Sequence, residues 1–259
     1  MKILALSIVL LSALSLFSQE SFKVIKISGT ITNENSKSNL QRGSVFNDND
    51  KLMFGSSTSR AAVINSSGRY ILASNNKNDM YAKSFLAPAM SNMSSRSGAI
   101  VNIVDLKNHF SGNYLIFKTS KIKISKDNFP MNEDNFFFIK YEYKGEPINK
   151  QLEFYSDTLI IDQKELMTVD GMPIPNPEIK KMELFYYKKA ENNVVSIGAF
   201  SPIFLNDDEF KSEVEIILDS VTKETKEEKI NEVLSYVNDF YGKPNKENLI
   251  DWIEANFQL

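Results

Sequence analysis

FKVIKISGTITNENSKSNLQRGSVFNDNDKLMFGSSTSRAAVINSSGRYIL, residues 22–72, is the stretch that makes this chain read as a β protein. Ile25, Ile27 and Ile31 alternate with Lys26, Ser28 and Thr30, the period of two that describes a half-buried strand. Gly29 interrupts the alternation, as a bulge or a close backbone approach requires. Residues 33–39 form a polar turn, and further short strands are expected at 40–46, 51–55, 61–65 and 69–73. The segments between them, 47–50, 56–59 and 66–68, are rich in Asn, Asp, Ser and Gly, which are turn formers. Strands this short and this closely spaced predict a small β-sandwich or barrel module over residues 20–74.

The order of these features carries a resemblance. A strand with Gly29, then Leu40-x-x-Gly43, Asp50-x-Leu52, a small-residue loop, Ala62-Val63-Ile64, Gly68 and Tyr70-Ile71-Leu72 resembles the repetitive β-module of FecR-type periplasmic proteins. The likeness covers about a fifth of the chain, residues 22–74, and brings no catalytic residue with it. It implies a periplasmic β fragment and, at its furthest, a FecR-like signalling partner. The chain lacks the transmembrane helix and cytoplasmic regulatory segment that such a role would use.

Upstream, Met1-Lys2 followed by an almost unbroken apolar run over 3–17 and then Ser18-Gln19-Glu20 has the layout of a secretory signal peptide, residues 1–19. The run is shorter than the roughly 20 residues a membrane span needs, and none like it follows downstream. The mature chain is expected to be exported, to the periplasm, the cell surface or the medium, with no transmembrane segment after signal cleavage. Cysteine is absent, which removes thiol nucleophiles, thiolate metal sites and a lipid-bearing Cys. An exported chain of this size without disulfides fits a bacterial envelope or secreted protein.

Residues 75–99 shift to Asn, Ser and Met and are expected to be a linker or flap, with Met80, Phe85, Leu86, Met90 and Met93 available to pack on a neighbour or a partner. Residues 100–205 read as a second, antiparallel β-sandwich. Its centre is NFFFIKYEY: Phe137, Ile139, Tyr141 and Tyr143 share one face, while Phe136 and Phe138 oppose them before Lys140 and Glu142 turn that face polar. Ile122 and Ile124 are expected inward, and the three prolines of 171–177 predict an extended crossing.

From residue 206 the period becomes helical. Three helices are expected in 206–259, capped by Asn206, by Thr225 with Glu228 in a capping box, and by Asn245; Gly242 and Pro244 stop the second. This C-terminal cap is acidic, with 14 acidic against 6 basic residues, whereas residues 1–205 hold 19 against 24. A mildly basic body tied to its own acidic tail excludes broad nucleic-acid binding, which needs many unopposed Lys and Arg contacts to phosphates.

Little chemistry is on offer. His109 is the one histidine, so any Ser-His-Asp triad would have to use it, no pattern in the sequence supplies its partners, and a two-His metal site cannot be assembled. Ser120-x-x-Lys123 has the spacing of an acyl-transfer dyad but lies on an expected strand, where i and i+3 point to opposite faces. Glu142, Glu146 and Glu153 flank one expected hairpin, and Asp48 with Asp50 offers oxygen ligands for calcium. Tyr141, Tyr143, Tyr155, Tyr186 and Tyr187 are candidates for a carbohydrate platform. Weighed against packing, capping and surface charge, none of these earns a role: no catalytic residue, cofactor site or metal ligand is assigned. The expectation is a non-catalytic binding or assembly protein of the envelope with a protein partner. The alternatives are a carboxylate-dependent hydrolase or binder of envelope polysaccharide, with a glycan as ligand, and the FecR-like signalling partner.

Overall fold

The structure, a computed structural model, describes residues 20–74, 85–88, 98–174, 179–221 and 224–259. The expected signal segment 1–19, and the 75–99 stretch apart from 85–88 and 98–99, lie outside the described residues. The chain is mainly β and divides into two compact units, one ending at Pro88 and the other beginning at Ala89.

The first unit contains β1 (Ser21–Ser28), β2 (Ile31–Asn33), β3 (Ser38–Asn39), β4 (Val45–Asn47), β5 (Leu52–Phe54), β6 (Arg60–Asn65), β7 (Gly68–Ala73) and β8 (Phe85–Pro88). They form a five-stranded sheet, β4-β1-β6-β7-β8, and a three-stranded one, β3-β2-β5. Phe22, Val24, Ala61, Val63 and Leu72 from the first sheet meet Ile31, Leu52 and Phe54 from the second, so the core lies between sheets. Two local readings change. The register of β1 shifts between Val24 and Lys26, so Phe22 and Val24 face this core, while Ile25 is buried outside the cluster and Ile27 packs against it only in part. The bulge is therefore at Ile25, and Gly29 serves the close approach: with φ of 81°, a Cβ there would sit 2.5 Å from Ser59 Oγ and 3.1 Å from Ser59 Cα. Residues 40–44 form a turn rather than a strand, with Gly43 N–H donating to Val24 O at 2.8 Å. Within the stretch expected to be a linker or flap, residues 85–88 are a strand paired to β7.

The second unit contains α1 (Ile103–His109), β9 (Gly112–Ile116), β10 (Thr119–Lys123), β11 (Asn135–Tyr143), β12 (Glu146–Gln151), β13 (Glu153–Tyr155), β14 (Thr158–Asp162), α2 (Gln163–Leu166), β15 (Thr168–Val169), β16 (Met172–Pro173), β17 (Met182–Lys188), β18 (Asn193–Phe204), α3 (Asp207–Ser220), α4 (Lys226–Phe240) and α5 (Lys246–Asn256). A five-stranded sheet, β12-β11-β17-β18-β9, faces a three-stranded one, β10-β14-β13. Phe137, Ile139, Tyr141, Leu184, Tyr186 and Ile197 of the larger sheet share one buried cluster with Ile122, Leu159 and Ile161 of the smaller. Each such side chain contributes roughly 1.5–3 kcal/mol on full burial. The alternation read for β11 and for Lys121 to Ile124 holds residue by residue. Every pair within these two sheets is antiparallel except β18 with β9, which run parallel.

The three C-terminal helices start where their caps predict. Asn206 Oδ1 accepts from Glu209 N–H at 3.0 Å, Asn245 Oδ1 from Asn248 N–H at 3.1 Å, and Thr225 with Glu228 forms the reciprocal capping box. Helices α1 and α2 are additions to the sequence reading, and both are too short for a periodic stripe to reveal.

Candidate functional site

The two sheets of the second unit have four outer edges, and the chain treats them in two ways. At β9, the connector from α4 to α5 lies alongside: Lys243 N–H donates to Asn113 O at 2.9 Å and Leu115 N–H to Lys243 O at 3.0 Å. Gly242 makes that approach possible, since at φ 130° a Cβ would sit 2.6 Å from Asn113 O. At β10, Ile100 N–H donates to Lys123 O at 2.9 Å and Ser125 N–H to Ile100 O at 2.8 Å. Asn248 Oδ1 accepts from Lys121 N–H, and Asn245 Nδ2 donates to Lys121 O. This rim is sealed.

The opposite rim is one continuous segment, Glu146 to Tyr155. It serves first as β12, the outermost strand of the larger sheet, and then, after the buried corner residue Leu152, as β13, the outermost strand of the smaller. Among the described residues no segment pairs with its outer side. The tight turn at Lys144-Gly145, both at positive φ, and the Leu152 N–H bond to Phe137 O set the phase of the β11–β12 ladder. In an antiparallel ladder the backbone groups of successive residues point alternately to the two sides. Ile148 and Lys150 therefore bond to β11, while the C=O of Pro147 and the N–H and C=O of Asn149 and Gln151 face outward. Pro147 stands where its missing N–H would have faced solvent, the position that proline tolerates in a sheet.

At the corner the rim borders a cavity of about 100 Å³. Leu152, Ile160 and Leu166 supply apolar walls, and Lys150, Glu153, Asp162 and Glu165 its polar ones. Asp162 caps α2: Oδ1 accepts from Lys164 and Glu165 N–H, and Oδ2 from Thr119 Oγ1 at 2.6 Å. Burial pushes its carboxyl up, but the Thr119 bond, the two amides and the Lys164 ammonium together outweigh it and hold the group below the usual carboxylate range. Lys150, Glu153 and Glu165 take part in no ion pair among the described residues.

The residues singled out in the sequence are mostly dispersed. His109 lies in the last turn of α1; its Nε2 is 2.9 Å from the Tyr114 hydroxyl and its ring packs on Phe110. Burial, then the nearby Lys243 ammonium, lowers it to about 4. Ser120 is buried on β10 while Lys123 is exposed on the other face. Glu142 pairs opposite Pro147 and Glu146 opposite Tyr143, which puts these two carboxylates on opposite faces of the hairpin. Glu153 is seven residues beyond Glu146 along the extended rim, about 23 Å at 3.3 Å per residue, beyond the reach of a paired-carboxylate mechanism. Asp50 accepts from Asn47 N–H and from the Asn33 and Asn35 side chains, so its oxygens brace the loop; the Asn47 bond holds its carboxyl low. No three acidic or His side chains among the described residues are arranged to hold a metal ion.

The tyrosines do not form one platform. Tyr141 and Tyr186 are inside, bonded through their hydroxyls to Leu166 O and Pro130 O, whereas Tyr155 is 80% exposed at the end of β13. The outer face of the larger sheet carries Phe136, Phe138, Phe185 and Tyr187 instead. Phe138 and Phe185 stack at 5.1 Å, which turns their faces to each other rather than to a sugar.

Two features escaped the sequence reading although signals for them exist. Pro147 inside a strand-like run marks an edge strand. Glu213 falls among Phe210, Val214 and Ile217 on the apolar stripe of α3; it is fully buried and accepts from the hydroxyls of Tyr236 and Tyr241.

No family model, curated protein or solved structure matches this chain. Among the described residues no helix is long and apolar enough to cross a membrane.

Proposed function

We propose that this chain is an exported binding or assembly protein of a bacterial envelope, working without catalysis and recognising a protein partner along the open rim of its second unit. The observation that carries the reading is the contrast between rims. Unpaired strand edges are templates for further strands, and this unit seals one rim with sequence-distant segments while leaving Asn149 and Gln151 with outward backbone groups. The signal-like residues 1–19 and the FecR-like pattern of 22–74 support the envelope setting. The dispersal of Glu142, Glu146 and Glu153 weighs against a two-carboxylate hydrolase.

A photo-crosslinking residue placed at Gln151 in the native host, compared with one at Lys121 on the sealed rim, tests this. Adducts with an envelope protein are expected from position 151 alone, and they should persist when Glu142, Glu146 and His109, which lie outside the corner cavity, are replaced together. Adducts from 121 only, or their loss in a folded triple variant, would sink the proposal. Export is read separately, as recovery outside the cytoplasm of a chain starting near Gln19 or Glu20.

A further inference from the structure

We infer that the open rim takes an extended polypeptide segment as an added strand on β12, anchored by one lysine or arginine side chain in the corner cavity. The inference rests on the protein-binding reading above and names the occupant. A strand laid against Asn149 and Gln151 places every second side chain on the inner side of the sheet, where Lys150 and Leu152 border the cavity. About 100 Å³ is room for one side chain. Its walls have two characters: Leu152, Ile160 and Leu166 are apolar, while Glu153, Glu165 and the capping carboxylate Asp162 outnumber Lys150. A long alkyl stem ending in a cation matches both, stem along the leucines and isoleucine, charge toward the carboxylates. An acidic side chain would face like charge, and a purely aliphatic one would leave the carboxylates unanswered.

A second copy of this chain fits the rim poorly. The outward backbone groups belong to residues 147, 149 and 151, so a two-fold antiparallel pair centred between Asn149 and Gln151 sets Lys150 of each copy against the other, a destabilising like-charge pair. Centring on Asn149 instead puts Pro147, which has no N–H, opposite Gln151, and the ladder loses a bond at each end.

The test titrates the isotope-labelled chain 20–259 with a ten-residue peptide of alternating Thr and Val bearing one central Lys, and with the same peptide carrying norleucine or Glu there. The Lys peptide is expected to shift the Asn149 and Gln151 amides and to bind at least about tenfold more tightly than the other two, as a charge-assisted contact predicts. Glu153→Gln with Glu165→Gln should bring the Lys and norleucine peptides within about twofold of each other. Asn149→Pro, a position where proline is tolerated, should remove binding of all three; Gln151→Pro serves if that variant misfolds. Equal binding of the Lys and norleucine peptides overturns the cationic anchor and leaves strand addition standing. Unmoved Asn149 and Gln151 amides with every peptide overturn strand addition itself. A peptide-independent dimer that protects the same amides overturns the inference in favour of a second copy.

Discussion

The two rims of the second unit are built from similar material and end differently. β9 and β12 are both outermost strands of one five-stranded sheet. β9 receives Lys243 from 130 residues downstream, with a glycine at 242 that lets the two backbones touch. β12 receives nothing among the described residues and carries Pro147 in place of a donor. An edge closed by the chain's own backbone contributes to folding; an edge left open and interrupted by proline resists indiscriminate pairing while still offering a few bonds to a chosen strand.

The sealed rim is the easier of the two to break. Gly242→Ala forces a Cβ into Asn113 at an unfavourable φ and should cost at least about 3 kcal/mol, lowering Tm by roughly 6–12 °C, which calorimetry would read. An unchanged Tm would mean that the connector does not hold β9. The helices that deliver the connector depend on Glu213, so Glu213→Ala, which withdraws the acceptor shared by Tyr236 and Tyr241, should cost about 2–4 kcal/mol by urea unfolding. Tyr236→Phe should cost less, about 1 kcal/mol.

Acid sharpens the comparison, because His109 sits beside the sealed rim against Tyr114 and Lys243. Its folded value, about 4, lies below the unfolded 6.5, so the unfolded chain takes the proton first. That contribution is complete above pH 6.5 and falls away as pH drops toward 4. The full shift would be worth about 3 kcal/mol, and partial exposure of the ring reduces this to about 2 kcal/mol. His109→Gln should flatten stability over this window relative to the parent chain; parallel pH curves would refute the assignment. The smallest effect is expected on the open rim, where Asn149→Pro removes an N–H that faces outward and should change stability by less than about 0.5 kcal/mol.

Much of this architecture was legible from local chemistry. The caps at Asn206, Thr225 and Asn245 mark helix starts because a side-chain oxygen answers amides two or three residues on, a relation contained in a short window. The faces of β11 and β10 follow from period two alone. Where the reading slipped, a distant contact decided. Ile25 lost its expected place because β6 pairs across a bulge, and Gly29 yields to Ser59 rather than to its own strand. Tyr141, Tyr143, Tyr155, Tyr186 and Tyr187 look alike in sequence, yet two of them are turned inward by carbonyl oxygens 25 and 56 residues away.

Composition and short-range periodicity were sufficient for a mainly β chain in two parts with a helical end, because turns, caps and alternation are properties of neighbouring residues. Which sheet edge would be closed was not contained in any window of sequence. It was settled only when Gly242 and Lys243 came to lie against Asn113 and Leu115, while the segment from Glu146 to Tyr155 was left as the outer strand of both sheets. Edge pairing satisfies backbone groups that every residue carries equally, so side-chain pattern alone cannot say whose groups will meet.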